Sequence, residues 1–344
     1  MTLAVICGGE WGGCSVAYGL WMNGKELAAV NGISLLANDK EPWADGNKQK
    51  IYTPPDYVAG NPVFLVGQTG YIFGSQTNPP SYGGVTGWRT DGGRIIVDFT
   101  NANQQAFFTE FSIYQVQPPQ SVSGTYGIMI QNSVDWMSIN SSSRLGFVAW
   151  KGEVTINGKW TLPVVQNDNT KVVFVRCDDP GVSIYHAVQY NELTVSRDNG
   201  SGEAVLTTAN VKVVIMNSGY YPPTPRGYGM VIKNAAGNNT FTSDTEPLVW
   251  DGRSVNVGRN PEDLVDTGIA KPMIPLAVNA FMRGDSQGSG GVYNYYSCGY
   301  RFNGSAVQFW RSESGRRIQT QWNTSNRWYS SQMPLMVINA AHYF

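Results

Sequence analysis

Arginine and aromatic residues alternate closely near the C-terminal end of the chain, and this pattern has the clearest chemical potential. Arginine forks bind carboxylates and phosphates, and aromatic rings stack on sugars or on guanidinium groups. The same pattern is typical of a strand whose aromatic residues fill a core while its arginines face solvent. Core packing is therefore one interpretation, and an interface or receptor contact is the other, for Trp310, Arg311, Arg316, Arg317, Trp322, Arg327 and Trp328.

A second candidate contact lies in residues 78–88, which read Asn-Pro-Pro-Ser-Tyr-Gly-Gly-Val-Thr-Gly-Trp. The prolines and glycines predict a long irregular loop. Loops of this length in compact domains often carry binding contacts. Tyr82 and Trp88 are therefore predicted as interface or receptor residues.

Catalytic chemistry has few candidates in this sequence. Asp178 and Asp179 are adjacent carboxylates, but the Pro-Gly pair that follows them predicts a turn. His186 lies in an alternating segment typical of a strand, and His342 is predicted to lie at the surface or in an interface. No catalytic, cofactor-binding or metal-binding residue is assigned, no cofactor is expected, and the protein is predicted not to be an enzyme.

The composition favours short strands joined by many turns. The 344 residues include 39 glycines and 18 prolines, and only 14% of the residues are charged. The formal net charge of −1 argues against a nucleic-acid partner. No segment approaches the roughly 20 apolar residues that span a bilayer, so membrane insertion is not expected. The N-terminus lacks the basic flank of a signal peptide, which predicts synthesis in the cytoplasm.

Four short signatures recur three times in the same order, about a hundred residues apart. The first is Tyr-Gly followed by an apolar segment, starting at Tyr18, Tyr126 and Tyr228. The second is a tryptophan with a glycine two or three residues later, at Trp43, Trp150 and Trp250. The third is a short apolar strand at residues 63–66, 172–175 and 275–278. The fourth is another apolar strand at residues 111–114, 213–216 and 336–339.

The repeat predicts an all-β protein of three tandem β-sandwich-like modules. Pairs of prolines separate the modules, and two prolines in succession cannot continue a central strand. The predicted divisions are an N-terminal arm at 1–15 and modules at 16–119, 124–223 and 226–344. The connectors are only a few residues long, so neighbouring modules are expected to touch.

Within the modules, several segments carry direct strand signals. Residues 94–99 and 210–215 alternate apolar and polar side chains with a period near two. Asn157-Gly158 and Asn303-Gly304 each separate two β-rich segments, which predicts two hairpins.

The start of the third module resembles a known protein family. Residues 227–237 read Gly-Tyr-Gly-Met-Val-Ile-Lys-Asn-Ala-Ala-Gly, which is similar to the start of a family of small, poorly characterised bacteriophage tail proteins. That start is Tyr-Gly, an apolar strand and then Asn-Ala-x-Gly. Residues 18–24 resemble it more loosely, and residues 126–132 keep the strand but lack the turn.

This resemblance implies a structural protein of the virion tail, in the tail tip, the baseplate or a fibre. It implies other tail proteins as partners, a homo-oligomer (a trimer or a hexamer) and contact with a host surface polysaccharide or protein. It carries over no catalytic residue. The alternatives are a head decoration or head-fibre protein, a carbohydrate-binding adhesin and, least favoured, an enzyme.

Overall fold

Alternating apolar residues and frequent turns make this chain an all-β protein, as predicted. The computed structural model describes residues 2–6, 17–22, 25–26, 33–39, 42–43, 49–55, 57–67, 71–74, 81–99, 107–108, 111–116, 127–129, 138–140, 146–166, 171–187, 190–199, 204–218, 221–227, 231–233, 236–242, 244–246, 248–257, 263–276, 280–285, 292–319, 327–330 and 334–344. Within these ranges no α-helix occurs, and no helix is long and apolar enough to cross a membrane.

The strands fall into three groups along the chain. Those up to residue 116 are β1 (Thr2–Ile6), β2 (Ala17–Met22), β3 (Lys25–Glu26), β4 (Ile33–Asp39), β5 (Pro42–Trp43), β6 (Gln49–Tyr52), β7 (Val63–Gly67), β8 (Tyr71–Gly74), β9 (Ser81–Asp91), β10 (Arg94–Phe99), β11 (Phe107–Phe108) and β12 (Phe111–Val116). Those from 127 to 217 are β13 (Gly127–Met129), β14 (Ser138–Asn140), β15 (Phe147–Asn157), β16 (Lys159–Thr161), β17 (Lys171–Cys177), β18 (Val182–Ala187), β19 (Glu192–Asp198), β20 (Ala204–Leu206) and β21 (Thr208–Asn217).

The third group begins with β22 and ends with a short 3-10 helix. It contains β22 (Val231–Lys233), β23 (Asn239–Thr242), β24 (Arg253–Val255), β25 (Val265–Asp266), β26 (Pro272–Pro275), β27 (Ala280–Asp285), β28 (Val292–Asn303), β29 (Ala306–Gln319), β30 (Arg327–Ser330), β31 (Leu335–Asn339) and the 3-10 helix Ala340–His342. The side chain of Asn339 caps this helix by accepting a hydrogen bond from the backbone N–H of Ala341 at 3.0 Å.

Three antiparallel triplets of strands have the same internal order. They are β4-β12-β7, β15-β21-β17 and β24-β31-β26. In each triplet the central strand carries the fourth sequence signature, and the last strand corresponds to the third signature. The third copy of that signature starts earlier than predicted, because the strand is Pro272–Pro275. The first signature also behaves alike each time, since β2, β13 and β22 each pair with the strand that follows.

The second and third triplets are joined into one sheet. Their outer strands β17 and β26 pair with each other, with Val175 opposite Ile274. The sheet continues through β16, β19 and β18 to β28, where Ile184 lies opposite Tyr300. Strand pairing therefore crosses the predicted boundary near residue 225, and the division into three separate modules stays a prediction.

Strands β7 and β12 carry apolar side chains on both faces, and each face packs into a different core. On one face, Val63, Leu65 and Ile113 pack against Ile95 and Val97 of β10, forming a small second core. The intervening residues turn to the opposite face and join a larger core that also contains side chains from the second and third triplets. They are Phe64, Val66, Tyr114 and Val116.

The larger core links the first and third triplets directly. The ring of Phe64 meets the ring of Trp250 edge to face, with centroids 5.0 Å apart. Such aromatic pairs add about 0.5–1.5 kcal/mol beyond the burial of their area. The main chain joins the triplets as well, because Gly146 N–H donates to the carbonyl of Ile33 and Leu248 N–H donates to the carbonyl of Gly146.

Several local predictions are confirmed. Residues 94–99 form β10, and the two predicted hairpins form, with Asn157 opposite Lys159 and Asn303 opposite Ala306. Gly237 has a φ of +80° in the turn between β22 and β23, a conformation that favours glycine.

Residues 2–6 of the predicted arm form β1, which pairs with β2 of the same chain.

One local prediction is wrong: residues 81–91 form β9 rather than an irregular loop. The strand pairs with β8 on one side and with β10 on the other. The hydrogen bonds to these two neighbouring strands satisfy the backbone and override the weak strand propensity of its glycines.

The close approach of β28 to β18 allows a test of the sheet that joins the second and third groups of strands. A methyl group added to Gly299 of β28 would collide with the main-chain carbonyl of Ile184 in β18. We expect Gly299→Ala to lower the free energy of unfolding by about 2–3 kcal/mol, because the two strands must separate. Gly87→Ala in β9 is the matched control, since a methyl group there meets open space. Urea unfolding of both variants measures the difference, and equal effects would contradict close pairing of β18 with β28.

Candidate functional site

The predicted contact residues fall on three strands. Arg316 and Arg317 belong to β29 with Trp310 and Arg311, Arg327 and Trp328 belong to β30, and Tyr82 and Trp88 belong to β9. Trp322 lies outside the described residues. Trp88 packs partly buried against the small second core, whereas Trp310 and Arg311 contact charged groups of the second group of strands. The structure thus brings Trp310 and Arg311 into a polar cluster and places Trp88 elsewhere.

Asp198, at the end of β19, organises that cluster. Arg311 donates from Nη2 to both carboxylate oxygens of Asp198, at 2.8 and 2.7 Å, and the indole Nε1–H of Trp310 donates to Oδ2 at 3.1 Å. The Arg311 and Asp198 side chains are only 15% and 25% exposed. Strand β29 is therefore clamped to β19 by a largely buried ion pair.

Arg301 of β28 belongs to the same cluster, because its guanidinium lies over the indole ring of Trp310. Its guanidinium carbon lies 4.3 Å from the centroid of the Trp310 ring, which is cation–π distance. Its Nε is buried without a hydrogen-bond acceptor. Burial lowers the pKa of Arg301 to about 10, against the opposing attraction of Asp198, so the group remains a cation at neutral pH.

A turn between β17 and β18 connects this cluster to a polar cleft. Asp179 accepts a hydrogen bond from the Gly181 N–H at 2.9 Å, which confirms the predicted turn, and it also pairs with Arg197. Asp178 pairs with Arg176 at 2.6 Å and with Lys212 at 3.5 Å. The two carboxylates of the turn therefore pair with different cations, Asp178 with Arg176 and Lys212 and Asp179 with Arg197.

The cleft has a volume of about 580 Å³ and lies over β15, β21 and the end of β17. Most of its lining is polar: Glu153, Thr155, Arg176, Asp178, Asp179, Thr208, Asn210 and Lys212, with Cys177, Ala209 and Val211. Hydroxyl, amide and charged groups together favour a polar ligand rather than an apolar one. Sequence reasoning missed this cleft because its lining comes from three separate segments of the chain, at residues 153–155, 176–179 and 208–212.

The charges of the cleft and the cluster form one continuous set, here called the charged band. It consists of Glu153, Asp178, Asp179, Asp198, Arg176, Arg197, Lys212, Arg301 and Arg311. The band has five cations and four carboxylates, so one positive charge is in excess. Within the described part of the chain, Arg301 is the cation of this band that pairs with no carboxylate.

The electrostatics of the cleft suit binding better than acid–base catalysis. Burial would raise the pKa of Asp178, but the hydrogen bond and charge of Arg176, with Lys212, outweigh it and lower the pKa. The hydrogen bond to Glu153 raises the pKa of Lys212. A carboxyl that acts as a general acid near neutral pH needs a raised pKa, which is the opposite of the shift at Asp178.

Other residues with potential chemistry occupy structural positions. His186 is buried in β18, as the strand pattern predicts. His342 was predicted to lie at the surface or in an interface, and the surface alternative is wrong: the residue is buried, and its Nε2 lies 2.8 Å from a carboxylate oxygen of Asp251. Burial raises the pKa of the Cys177 and Cys298 thiols, which disfavours the nucleophilic thiolate. In the described segments, no group of three or more His, Cys, Asp or Glu side chains could hold a metal ion.

Comparison with known proteins places the chain in a family. A family model described as a family of unknown function (DUF6453) matches residues 30–324. The chain belongs to this family. No curated protein and no solved structure matches it.

The charged band of this DUF6453 protein lies entirely within the span that matches the family model. Strands β1 to β3, strand β30 and the central strand β31 of the third triplet lie outside that span. The candidate site therefore belongs to the part of the chain that defines the family.

The Asp198–Arg311 pair gives a direct test of the clamp between β19 and β29. Asp198→Asn leaves a partly buried Arg311 without its counter-charge, and we expect a loss of about 3 kcal/mol in the free energy of unfolding. Asp91→Asn is the matched control, because its pair with Arg94 is half exposed and should contribute less than about 1 kcal/mol. Urea unfolding at neutral pH compares the two; similar losses would exclude a special role for Asp198.

Asp178 should make stability depend on pH in the acid range. Its pKa is lowered on folding, so its contribution is present above its ordinary pKa and disappears as the pH falls through the lowered value. Because the Asp178 side chain is 59% exposed and its pair is screened by solvent, we expect Asp178→Asn to cost about 0.5–1 kcal/mol at pH 7. The difference from wild type should shrink at the most acid pH at which the protein remains folded. A difference that is constant with pH, in urea unfolding, would contradict this.

Proposed function

We propose that this chain is a structural protein of a bacteriophage virion, located in the tail. It would act by assembling with other tail proteins at the tail tip, the baseplate or a fibre, and by adhering to the host surface. The observation that carries the proposal is the Tyr-Gly, apolar strand, Asn-Ala-Ala-Gly start at residues 227–237, which resembles small bacteriophage tail proteins. In the structure its strand, β22, leads into a turn at Gly237.

The architecture supports an assembly role. Three similar triplets share a core, and the largest sheet runs through two of them without interruption. Such a scaffold resists deformation because its units cannot move apart without exposing apolar side chains. Under this proposal the chain forms a homo-oligomer, a trimer or a hexamer, that matches the symmetry of the tail.

Two alternatives place the same scaffold elsewhere. One is a head decoration or head-fibre protein, which would use the scaffold for assembly on the capsid. The other is a carbohydrate-binding adhesin, and the polar cleft with its cationic neighbour is the specific observation that favours it.

Immunogold electron microscopy of purified virions tests the location. We expect an antibody against residues 226–344 to label the distal tail and to leave particles from a strain that lacks the gene unlabelled. Label on the head would assign the protein to the decoration class. An absence of label, with the protein also missing from the virion by mass spectrometry, would reject the virion proposal.

A further inference from the structure

The surplus positive charge of the charged band belongs to Arg301, which pairs with no carboxylate of the described residues. Arg301 is half-buried, its buried Nε–H has no acceptor among these residues, and its guanidinium lies over the ring of Trp310. A cation–π contact offsets only part of the cost of removing a guanidinium from water. A cation kept in this position is therefore suited to receive an anion from outside the chain.

The surroundings hold Arg301 ready for such an anion. The nearest carboxylate, Asp198, is already occupied by both bonds from Arg311 and by the indole N–H of Trp310. Asp179 is likewise occupied by Arg197 and by the turn at Gly181. Asp198 therefore fixes the indole, and neither carboxylate forms an ion pair with Arg301.

The chemistry of Arg301 selects the anionic group of the ligand. A guanidinium binds carboxylates and phosphates through paired N–H groups, and both ligand types fit this site. The opposing acidic residues and the single surplus charge disfavour a nucleic acid, because its backbone needs several cations.

The neighbouring cleft selects the remainder of the ligand. Asp179 lines the cleft and pairs with Arg197, and the charges of both residues act on Arg301. The hydroxyls of Thr155 and Thr208 donate to the amide oxygens of Asn210 and Asn157, so their oxygens can accept from a ligand while the amide N–H groups of Asn210 can donate to it. Sugar hydroxyls pair well with such groups. A protein partner would need aromatic or large aliphatic anchor pockets, and the lining residues provide no aromatic side chain.

We propose that Arg301, supported on Trp310, binds the carboxylate or phosphate of an acidic polysaccharide whose neighbouring sugar units occupy the cleft. Binding at this site is separate from the role in assembly. The purified chain alone should bind the saccharide, wherever the protein is located.

Isothermal titration calorimetry on the full-length protein at low salt tests this site. The probes are tetragalacturonate, glucose 6-phosphate, neutral maltotetraose and inorganic phosphate. We expect tetragalacturonate to bind at least about tenfold more tightly than maltotetraose, and added salt to weaken binding. Tighter binding of tetragalacturonate than of glucose 6-phosphate supports a carboxylate ligand, and the reverse supports a phosphate ligand. Equal binding of neutral and acidic saccharides, or of free phosphate and the saccharides, would overturn the proposal, as would no binding at all.

Substitutions then locate the binding site. Arg301→Gln should weaken tetragalacturonate binding at least about tenfold, and Arg301→Lys should weaken it less because the charge remains. Arg94→Gln is the matched control, since Arg94 is a half-exposed arginine on β10, outside the charged band, and should leave binding unchanged. Full binding by Arg301→Gln would overturn the assignment. If Arg301→Gln does not fold, Arg301→Lys and the selectivity of the wild type decide the question.

Discussion

Burial of both faces of the central strand pairs is the constraint on which the structure depends. In β7 and β12, successive side chains alternate between the small second core and the larger core, so neither face reaches water. Strand β17 is buried along its whole length. A pair of strands buried on both faces needs a layer on each side, and the chain supplies these layers from segments far apart in sequence. The three triplets therefore cannot reach their final packing independently.

The sequence predicted the strands better than it predicted their partners. Alternation and Asn-Gly turns located β10 and the hairpins at Asn157-Gly158 and Asn303-Gly304, because these signals are local. The pairing of β17 with β26 carries no local signal, since any apolar edge strand offers the same backbone groups. Strand β9 was missed because its glycines, and the two prolines just before it, suppress local propensity, while its neighbours β8 and β10 supply the ladder.

The candidate site was predicted in part for similar reasons. Trp310 and Arg311 were identified from their residue types and spacing. Arg301 could have been found, because it is a charged residue between two aromatic residues of a predicted hairpin strand. Asp198 could not: it lies in an ordinary turn-like segment, and its contact with Arg311 spans 113 residues. One interpretation of the sequence pattern was that the aromatic residues face the core and the arginines face solvent. Trp310 and Arg311 do not follow this pattern, because both side chains donate to the carboxylate of Asp198.

The pairing of β17 with β26 also determines how closure of this sheet edge depends on protein concentration. An isolated triplet would leave one of these edges open, and an open edge recruits strands from other molecules. In this chain the complementary edge belongs to the same polypeptide, at an effective concentration set by the connecting segment rather than by the amount of protein made. Closure of the edge is therefore intramolecular, so dilution does not weaken it. One polypeptide therefore closes an edge that a single triplet could close only by dimerising.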